Sequence, residues 1–346
     1  MREPNSLSAL ARSVLLRAPG RLHLGFLDPS GTLGRRFGSI GLVIDGFETA
    51  LDLCAAPADR LSSSEAVDPA DVQRAAAHLA AMREHTGLRQ PLHLRLLQSL
   101  PTHAGLGSGT QLALAVGRAF ARWHGLELPT PTLAHWLGRG LRSGVGIAGF
   151  DAGGLLVDGG PAADGAPAAL LSRLDFPADW RIVVVLDPRH RGLSGSAEKA
   201  ALATLLPLPQ AAAADICHQL LMRVLPGAAA AEFAPFVAGL ARIQQLLGEH
   251  FAAAQGGSAF TSDAVGRVLR WMASNAASGA GQPVAIGQSS WGPTGFAIVE
   301  SQAQADQLVA AAQAAQVAGA GLELRIVSAR NHGARIDLRP PLHAIT

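Results

Sequence analysis

The chain has 346 residues, 49% hydrophobic and 16% charged, and 28 basic side chains against 26 acidic ones leave a net charge of +2. That length makes one large or two ordinary domains; the apolar content excludes a disordered polymer, and the balanced charge excludes a dedicated nucleic-acid binder. Two distant cysteines, Cys54 and Cys217, supply neither a CxxC pair nor a disulfide framework, so a cytoplasmic protein is expected.

The first residues carry Glu3 and Pro4 and no continuous apolar core, unlike a signal peptide. No apolar run is long enough for a membrane span. Strand-like runs at 14–17, 21–27, 40–43 and 49–54 are separated by Gly and Pro turns. A helix is predicted over 69–86, then an alternating strand with Leu92, Leu94 and Leu96 on one face and His93 and Arg95 on the other. The loop 101–109 leads into a helix over 110–124, a short helix over 132–137 and a glycine-dense stretch over 138–160. Residues 161–177, rich in Ala, Pro and Asp, divide the chain into 1–170 and 171–346. Beyond them come a buried strand at 182–186 and helices at 197–206, 211–224, 229–253 and 263–277. Strands at 284–290 and 295–299, a helix at 303–318 and a strand at 322–327 follow. Strands and helices mixed without regular alternation predict an α+β fold.

The segment Pro101-Thr-His-Ala-Gly105-Leu-Gly107-Ser108-Gly109-Thr110 lies between a predicted strand and a helix. Alternate glycines let backbone N–H groups converge, and the helix brings its positive end to the same point, which suits an anion. A Gly-rich turn with Thr110 as N-cap is the plain structural alternative. Lys199 is the one lysine, so arginine supplies the fixed positive charge, and a lysine-dependent phosphate loop or Schiff base has no candidate. On the strand 21–27, Arg21, His23 and Gly25 are expected on one face and Leu22, Leu24 and Phe26 on the other. The segment 138–154 holds Arg139, Arg142 and Asp151 among many glycines, which implies close backbone approach. Asp151 suits a metal or a developing positive charge, and Arg142 suits a carboxylate or phosphate. A later turn, Gly287-Gln288-Ser289-Ser290-Trp291-Gly292-Pro293-Thr294-Gly295, and a polar cluster, Ser328-Ala-Arg330-Asn331-His332-Gly333, complete the candidates. His190 in Asp187-Pro-Arg189-His190 follows a buried strand and reads equally well as a surface turn.

In order, Pro19-Gly20-Arg21, then Pro101-x3-Gly105-Leu-Gly107-Ser108, then the late glycine-rich turn resemble the three motifs of the GHMP kinase superfamily, across nearly the whole chain. The resemblance implies an α+β, GHMP kinase-like fold: an N-terminal domain like domain 2 of ribosomal protein S5 over 1–170, and a ferredoxin-like C-terminal domain over 171–346. The family loop usually reads G-L-G-S-S; here Gly109 stands for the second serine, and Gln288-Ser-Ser-Trp291-Gly-Pro293 replaces clustered glycines. With Gly25-Phe-Leu-Asp28, Gly138-Arg-Gly-Leu-Arg142-Ser-Gly-Val-Gly-Ile147, Phe150-Asp-Ala-Gly-Gly154 and Ser328-Ala-Arg-Asn-His-Gly333, the chain is similar to a divergent branch, the β-ribofuranosylaminobenzene 5′-phosphate synthases.

That branch implies condensation of phosphoribosyl pyrophosphate with 4-aminobenzoate or 4-hydroxybenzoate, releasing CO2 and pyrophosphate, in tetrahydromethanopterin biosynthesis, with Mg2+ as cofactor. Departure of pyrophosphate leaves an oxocarbenium-like ribose C1, the aromatic carbon bearing the carboxylate attacks it, and loss of CO2 restores aromaticity. Carried onto this chain, the resemblance implies a pyrophosphate cradle at Gly105, Gly107, Ser108, Gly109 and Thr110, with Ser108 and Asp151 at the metal. Asp151, Arg142 and His23 are the expected catalytic groups; Arg21, Ser289, Arg330 and His332 are the expected further substrate contacts. Small molecules are the expected partners, and a homodimer is the default assembly. The alternative reading is an ATP-dependent GHMP-type kinase acting on a small alcohol; a third is a non-catalytic phosphosugar sensor.

Overall fold

Local signals fix the first helix. Asp68 accepts a hydrogen bond from the N–H of Ala70, Pro69 opens the helix, and Gly87 closes it in the left-handed region, so α1 spans Pro69–Thr86 as predicted. The protein, described by a computed structural model over residues 13–162, 168–193, 195–278, 283–319 and 321–339, orders its elements as follows. β1 (Ser13–Asp28), β2 (Phe37–Ala55) and β3 (Arg60–Ser63) precede α1; β4 (Leu92–Gln98), α2 (Ser108–Trp123), α3 (Thr130–Trp136), α4 (Val145–Ala152), β5 (Leu155–Asp158) and β6 (Leu170–Leu174) follow. The second half runs β7 (Arg181–Leu186), α5 (Gly195–Thr204), α6 (Gln210–Gln219) continued by a π-helical turn over Leu220–Val224, and α7 (Leu225–Ala230). It ends with α8 (Phe233–Phe251), α9 (Asp263–Ser278), β8 (Ala285–Gln288), β9 (Gly295–Val299), α10 (Gln302–Ala314), β10 (Glu323–Val327) and β11 (Arg335–Arg339).

The first sheet has the order β11-β1-β2-β4-β3, with β5 on β2 and β6 on β5. The second is antiparallel, β10-β7-β9-β8, the 4-1-3-2 order of a ferredoxin-like unit. The expected α+β architecture, with a ferredoxin-like second sheet, is therefore present. β6 lies within the stretch read as a divider, and β11 returns the chain to the first sheet beside β1.

Four short predicted strands merge into the long β1–β2 pair. Pro19-Gly20 reads as a turn but forms a bulge, with the register shifting between Pro19 and Arg21 while pairing continues. A second shift, between His23 and Gly25, corrects the expected faces: Leu22 and Leu24 stay in the core beneath α8, and a Cβ on Gly25 would meet Leu247 of α8. Phe26 instead meets the His23 ring edge-on, at 4.6 Å.

Three apolar layers hold the molecule. Leu22, Leu24, Ile40 and Leu42 join Ile182, Val184, Phe296 and Phe236 in the core between the two sheets and α8. Leu16, Leu51 and Leu94 pack beneath Leu112, Val116 and Phe120 of α2. Val183, Val185 and Ala297 meet Leu269 of α9 and Leu308 of α10. Among the described residues no helix is long and apolar enough to cross a membrane.

Candidate functional site

The loop before α2 is held from beneath by β1 and by the turn after β8. The Arg21 guanidinium donates to the Gly105 carbonyl at 2.8 Å, and the Arg21 N–H donates to the Leu106 carbonyl at 3.1 Å. Ser289 Oγ donates to the same Gly105 carbonyl at 2.8 Å and accepts from the His23 N–H at 2.9 Å. A trans peptide points its N–H opposite to its carbonyl. With the Gly105 and Leu106 carbonyls drawn toward β1, the N–H groups of Leu106 and Gly107 face away from it. The Gly107 carbonyl accepts from Thr110 and Gln111, so the Ser108 N–H points out of the helix end. Both glycines are required: Gly105 (φ 86°) and Gly107 (φ 83°) are left-handed, and a Cβ on Gly105 would overlap the Ser289 carbonyl oxygen.

The N-cap of α2 is Gly107, with no side-chain cap, so Thr110 is not the cap. Its Cγ2 instead packs where a Cβ on Gly146 of α4 would sit, at 3.3 Å. Among the described residues the first turn of α2 thus keeps its positive end without a side-chain acceptor.

Arginines surround this end. Arg21 lies under Gly107; Arg142 is near enough to His23 to act on its charge; the Arg139 guanidinium lies 3.3 Å from a Cβ built on Gly109. His23 is fully buried, and burial first, then Arg21 and Arg142, lowers its pKa to about 3. His78 of α1 follows the same rule: burial, then Arg139 and Arg74, lowers its pKa to about 4. Both imidazoles are neutral at neutral pH. Burial and Arg74 also pull the Arg139 pKa down; among the described residues no carboxylate pairs with Arg139, and its Nε is buried without a hydrogen-bond partner. Arg74 is matched by Asp71.

Arg21, His23, Arg142, Ser289 and the loop residues Gly105, Gly107, Ser108, Gly109 and Thr110 are therefore brought together. Asp151 is not. It sits exposed near the C-terminal end of α4 and accepts from Thr130 Oγ1 at 2.6 Å, and the same hydroxyl accepts from Arg118 of α2 at 2.6 Å. Arg118 lies ten residues along α2 from Ser108, roughly 15 Å at the helical rise. The expected Ser108–Asp151 metal pair is thus corrected by the length of α2. Arg330 and His332 form a separate knot: Arg330 Nε donates to His332 Nδ1 at 3.1 Å, and its Nη2 donates to the Gly333 carbonyl at 3.1 Å. Burial pulls the Arg330 pKa down against the attraction of Asp45 and Glu48. This knot braces the 328–333 segment against β2, where the Arg330 N–H donates to the Val43 carbonyl at 2.9 Å.

Among the described residues no group of three or more His, Cys, Asp or Glu could hold a metal ion. The oxygen donors at the helix end are the Ser108 and Thr110 hydroxyls, which fit a magnesium ion carried in by phosphate oxygens and do not form a cage of their own. Sequence reasoning left Arg139, Arg74 and His78 unassigned. Arg74 and His78 share one face of the predicted helix at i, i+4 spacing, which is a legible sign of a cationic stripe; the place of Arg139 depends on tertiary packing.

Residues 72–154 match the GHMP kinases N terminal domain. Solved structures with the same architecture include mevalonate diphosphate decarboxylase from Staphylococcus aureus, with a TM-score of 0.67, 15% identity and coverage of 95% of this chain and 99% of that one. Streptococcus pneumoniae phosphomevalonate kinase has a TM-score of 0.66, 11% identity and coverage of 92% and 100%. The fold and the loop ahead of α2 are those of the GHMP kinase superfamily. A β-ribofuranosylphenol 5′-phosphate synthase of Archaeoglobus fulgidus is 33% identical over 337 residues, covering 93% of this chain and 99% of the relative. The same-named protein of Methanothermobacter thermautotrophicus is 29% identical, with coverage of 93% and 98%. The chain belongs to the β-ribofuranosylphenol 5′-phosphate synthase family.

Proposed function

We propose that the protein condenses phosphoribosyl pyrophosphate with 4-hydroxybenzoate, giving β-ribofuranosylphenol 5′-phosphate, CO2 and pyrophosphate. The relatives' name, with its phenol, favours the hydroxybenzoate among the two acceptors the sequence leaves open. The observation that carries the reading is the α2 N-terminus: outward N–H groups, no side-chain cap, and an Arg139 guanidinium with which no carboxylate among the described residues pairs. Positive charge left unpaired in this way is unfavourable until an anion arrives, and a diphosphate fills the role.

The chain's own groups suit that chemistry. N–H groups of Leu106, Gly107 and Ser108 and the Arg139 fork stabilise charge that grows on the leaving diphosphate. A magnesium ion held by Ser108 and Thr110 hydroxyls with the diphosphate would share that charge. Burial keeps His23 neutral, so no additional imidazolium opposes positive charge developing on the ribose. The positive charge of Arg21 and Arg142 suits the 5′-phosphate or the carboxylate.

The test is incubation with magnesium, phosphoribosyl pyrophosphate and carboxyl-labelled 4-hydroxybenzoate, without nucleotide. Labelled CO2 and pyrophosphate in equal amounts are expected. Their absence, with ADP formed from ATP and a small alcohol, would overturn the reading in favour of a kinase.

A further inference from the structure

We propose that the cleft between the two sheets, at the ends of β4 and β7, seats the aromatic acid, with His190 Nε2 taking the proton of its para hydroxyl and Arg191 holding its carboxylate. The inference rests on the proposed reaction and adds the acceptor's place and a further catalytic residue. The cleft has a volume of about 390 Å³, within the usual range for small-ligand pockets. The loop after β4 forms one side and the turn after β7 the other, and Pro101 and Pro188, both exposed, offer flat apolar surface to a ring. Arg191 and Thr102 line this cleft and also the neighbouring hollow along α1 that holds Arg74 and His103. Arg74 acts in turn on Arg139, beside Gly109, so a line of arginines runs from the cleft to the diphosphate cradle.

His190 is arranged as a base. Asp187 is buried, and its carboxylate accepts from His190 Nδ1 at 2.9 Å, Ser262 Oγ at 2.8 Å and Arg189 Nε at 3.0 Å. Against that carboxylate Nδ1 carries the proton of a neutral imidazole, and Nε2 carries the lone pair. The side chain is 54% exposed, and Nε2, on the far side of the ring from Asp187, has no partner among the described residues. A buried carboxylate also stabilises the imidazolium that forms when Nε2 takes a proton. The turn itself is fixed: the Gly192 N–H donates to the His103 carbonyl at 2.9 Å, and a Cβ on Gly192 would overlap the Trp291 carbonyl. Arg191 is exposed and pairs with no carboxylate among the described residues.

With the carboxylate at Arg191 and the hydroxyl at His190, the ring carbon that bears the carboxylate is the end nearer the cradle. His190 takes the phenol proton as that carbon bonds to ribose C1, and pyrophosphate leaves with the C1–O electron pair. Loss of CO2 returns the C–C electron pair to the ring, and the oxygen recovers its proton from His190.

Turnover and equilibrium acid binding in the whole protein test this, with 4-hydroxybenzoate and with a ring-fluorinated 4-hydroxybenzoate whose phenol is already ionised at neutral pH. His190→Gln keeps a hydrogen-bond acceptor and loses the base. Its kcat with 4-hydroxybenzoate is expected to fall at least about 100-fold while acid binding is retained. The fluorinated acid needs no base, so the loss in the same variant shrinks to under about tenfold. Ala66→Trp, at an exposed position lining the cleft, weakens both acids at least about tenfold and leaves the KM for phosphoribosyl pyrophosphate unchanged. Normal turnover in His190→Gln, or an equal loss with both acids, would overturn the proton step. Normal acid binding in Ala66→Trp would overturn the seat. Labelled CO2 from wild type beside either result leaves the reaction standing. Acid binding that Ala66→Trp abolishes, without CO2 from wild type, would keep the seat and overturn the reaction together with its proton step.

Discussion

Two glycine-rich helix starts lie side by side in this molecule and are satisfied in opposite ways. At α4 the Asp158 carboxylate accepts from the N–H groups of Gly144 at 2.8 Å and Val145 at 3.1 Å and from Gly160 at 2.8 Å. Burial pushes the Asp158 carboxyl upward against those hydrogen bonds. At α2 no such anion is found among the described residues, the N-cap is a glycine, and arginines gather instead. One end carries its counter-charge within the chain; the other leaves that place to a ligand. Glycine content alone does not separate them, whereas the presence or absence of an internal acceptor does.

The sharpest break would come at the internally capped end. Asp158→Ala leaves three N–H groups without an acceptor in a buried place, an expected loss of about 4 kcal/mol, or about 6 °C in Tm for a chain of this size. Thermal unfolding measures it; a shift under 2 °C would mean that α4 does not depend on Asp158. The open end should respond in the other currency. Arg139→Ala is expected to lower kcat/KM for phosphoribosyl pyrophosphate about 100-fold, equivalent to about 2.7 kcal/mol. Its Tm should hold or rise, because crowding with Arg74 is relieved. Arg139→Lys keeps the charge and loses the fork, and about a tenfold loss is expected. A fall in Tm with unchanged kinetics would make Arg139 structural and the comparison void.

A smaller effect separates the flanks of the open end by pH. The folded-state pKa values of His23, about 3, and His78, about 4, lie below the unfolded value of 6.5. Between these values the unfolded chain binds more protons, so the stability present above pH 6.5 is lost as pH falls toward 3. Tm should decline steadily across that window, and His23→Phe should flatten the decline more than His78→Phe, since His23 is the more deeply buried. A decline that His23→Phe leaves unaltered would show that other groups govern acid stability.

What could be read from the sequence followed the range of the signal. α1 was legible to its ends because Asp68, Pro69 and Gly87 are local instructions. The loop ahead of α2 was legible because its glycines alternate within a few residues, and Ser289 because it falls in a recognisable turn. α4 was hidden in a glycine-dense stretch because its cap, Asp158, lies beyond the helix's far end and meets Gly144 only when β5 folds back. Arg139 carried no local mark: its meaning arises from the end of α3 meeting the start of α2. The charge state of His23 depends on burial, which strand alternation suggests only until a bulge intervenes.

Asp151 gives the smallest and most instructive test. It shares a glycine-rich neighbourhood with Arg142, and sequence proximity makes it the natural partner of Ser108 at a metal. Yet α4 lies along α2, with the Gln111 side chain donating to the Gly146 carbonyl at 2.9 Å, and this carries Asp151 onward to Thr130 and Arg118. There its exposed carboxylate closes a hydrogen-bonded chain between α2, α3 and α4. Asp151→Asn keeps an acceptor for Thr130 and removes a charge remote from the cradle, so kcat/KM should change less than about threefold and Tm by about 1 °C. A loss of several orders of magnitude would place the carboxylate at the reacting atoms and require α4 to move toward the α2 N-terminus when substrate binds.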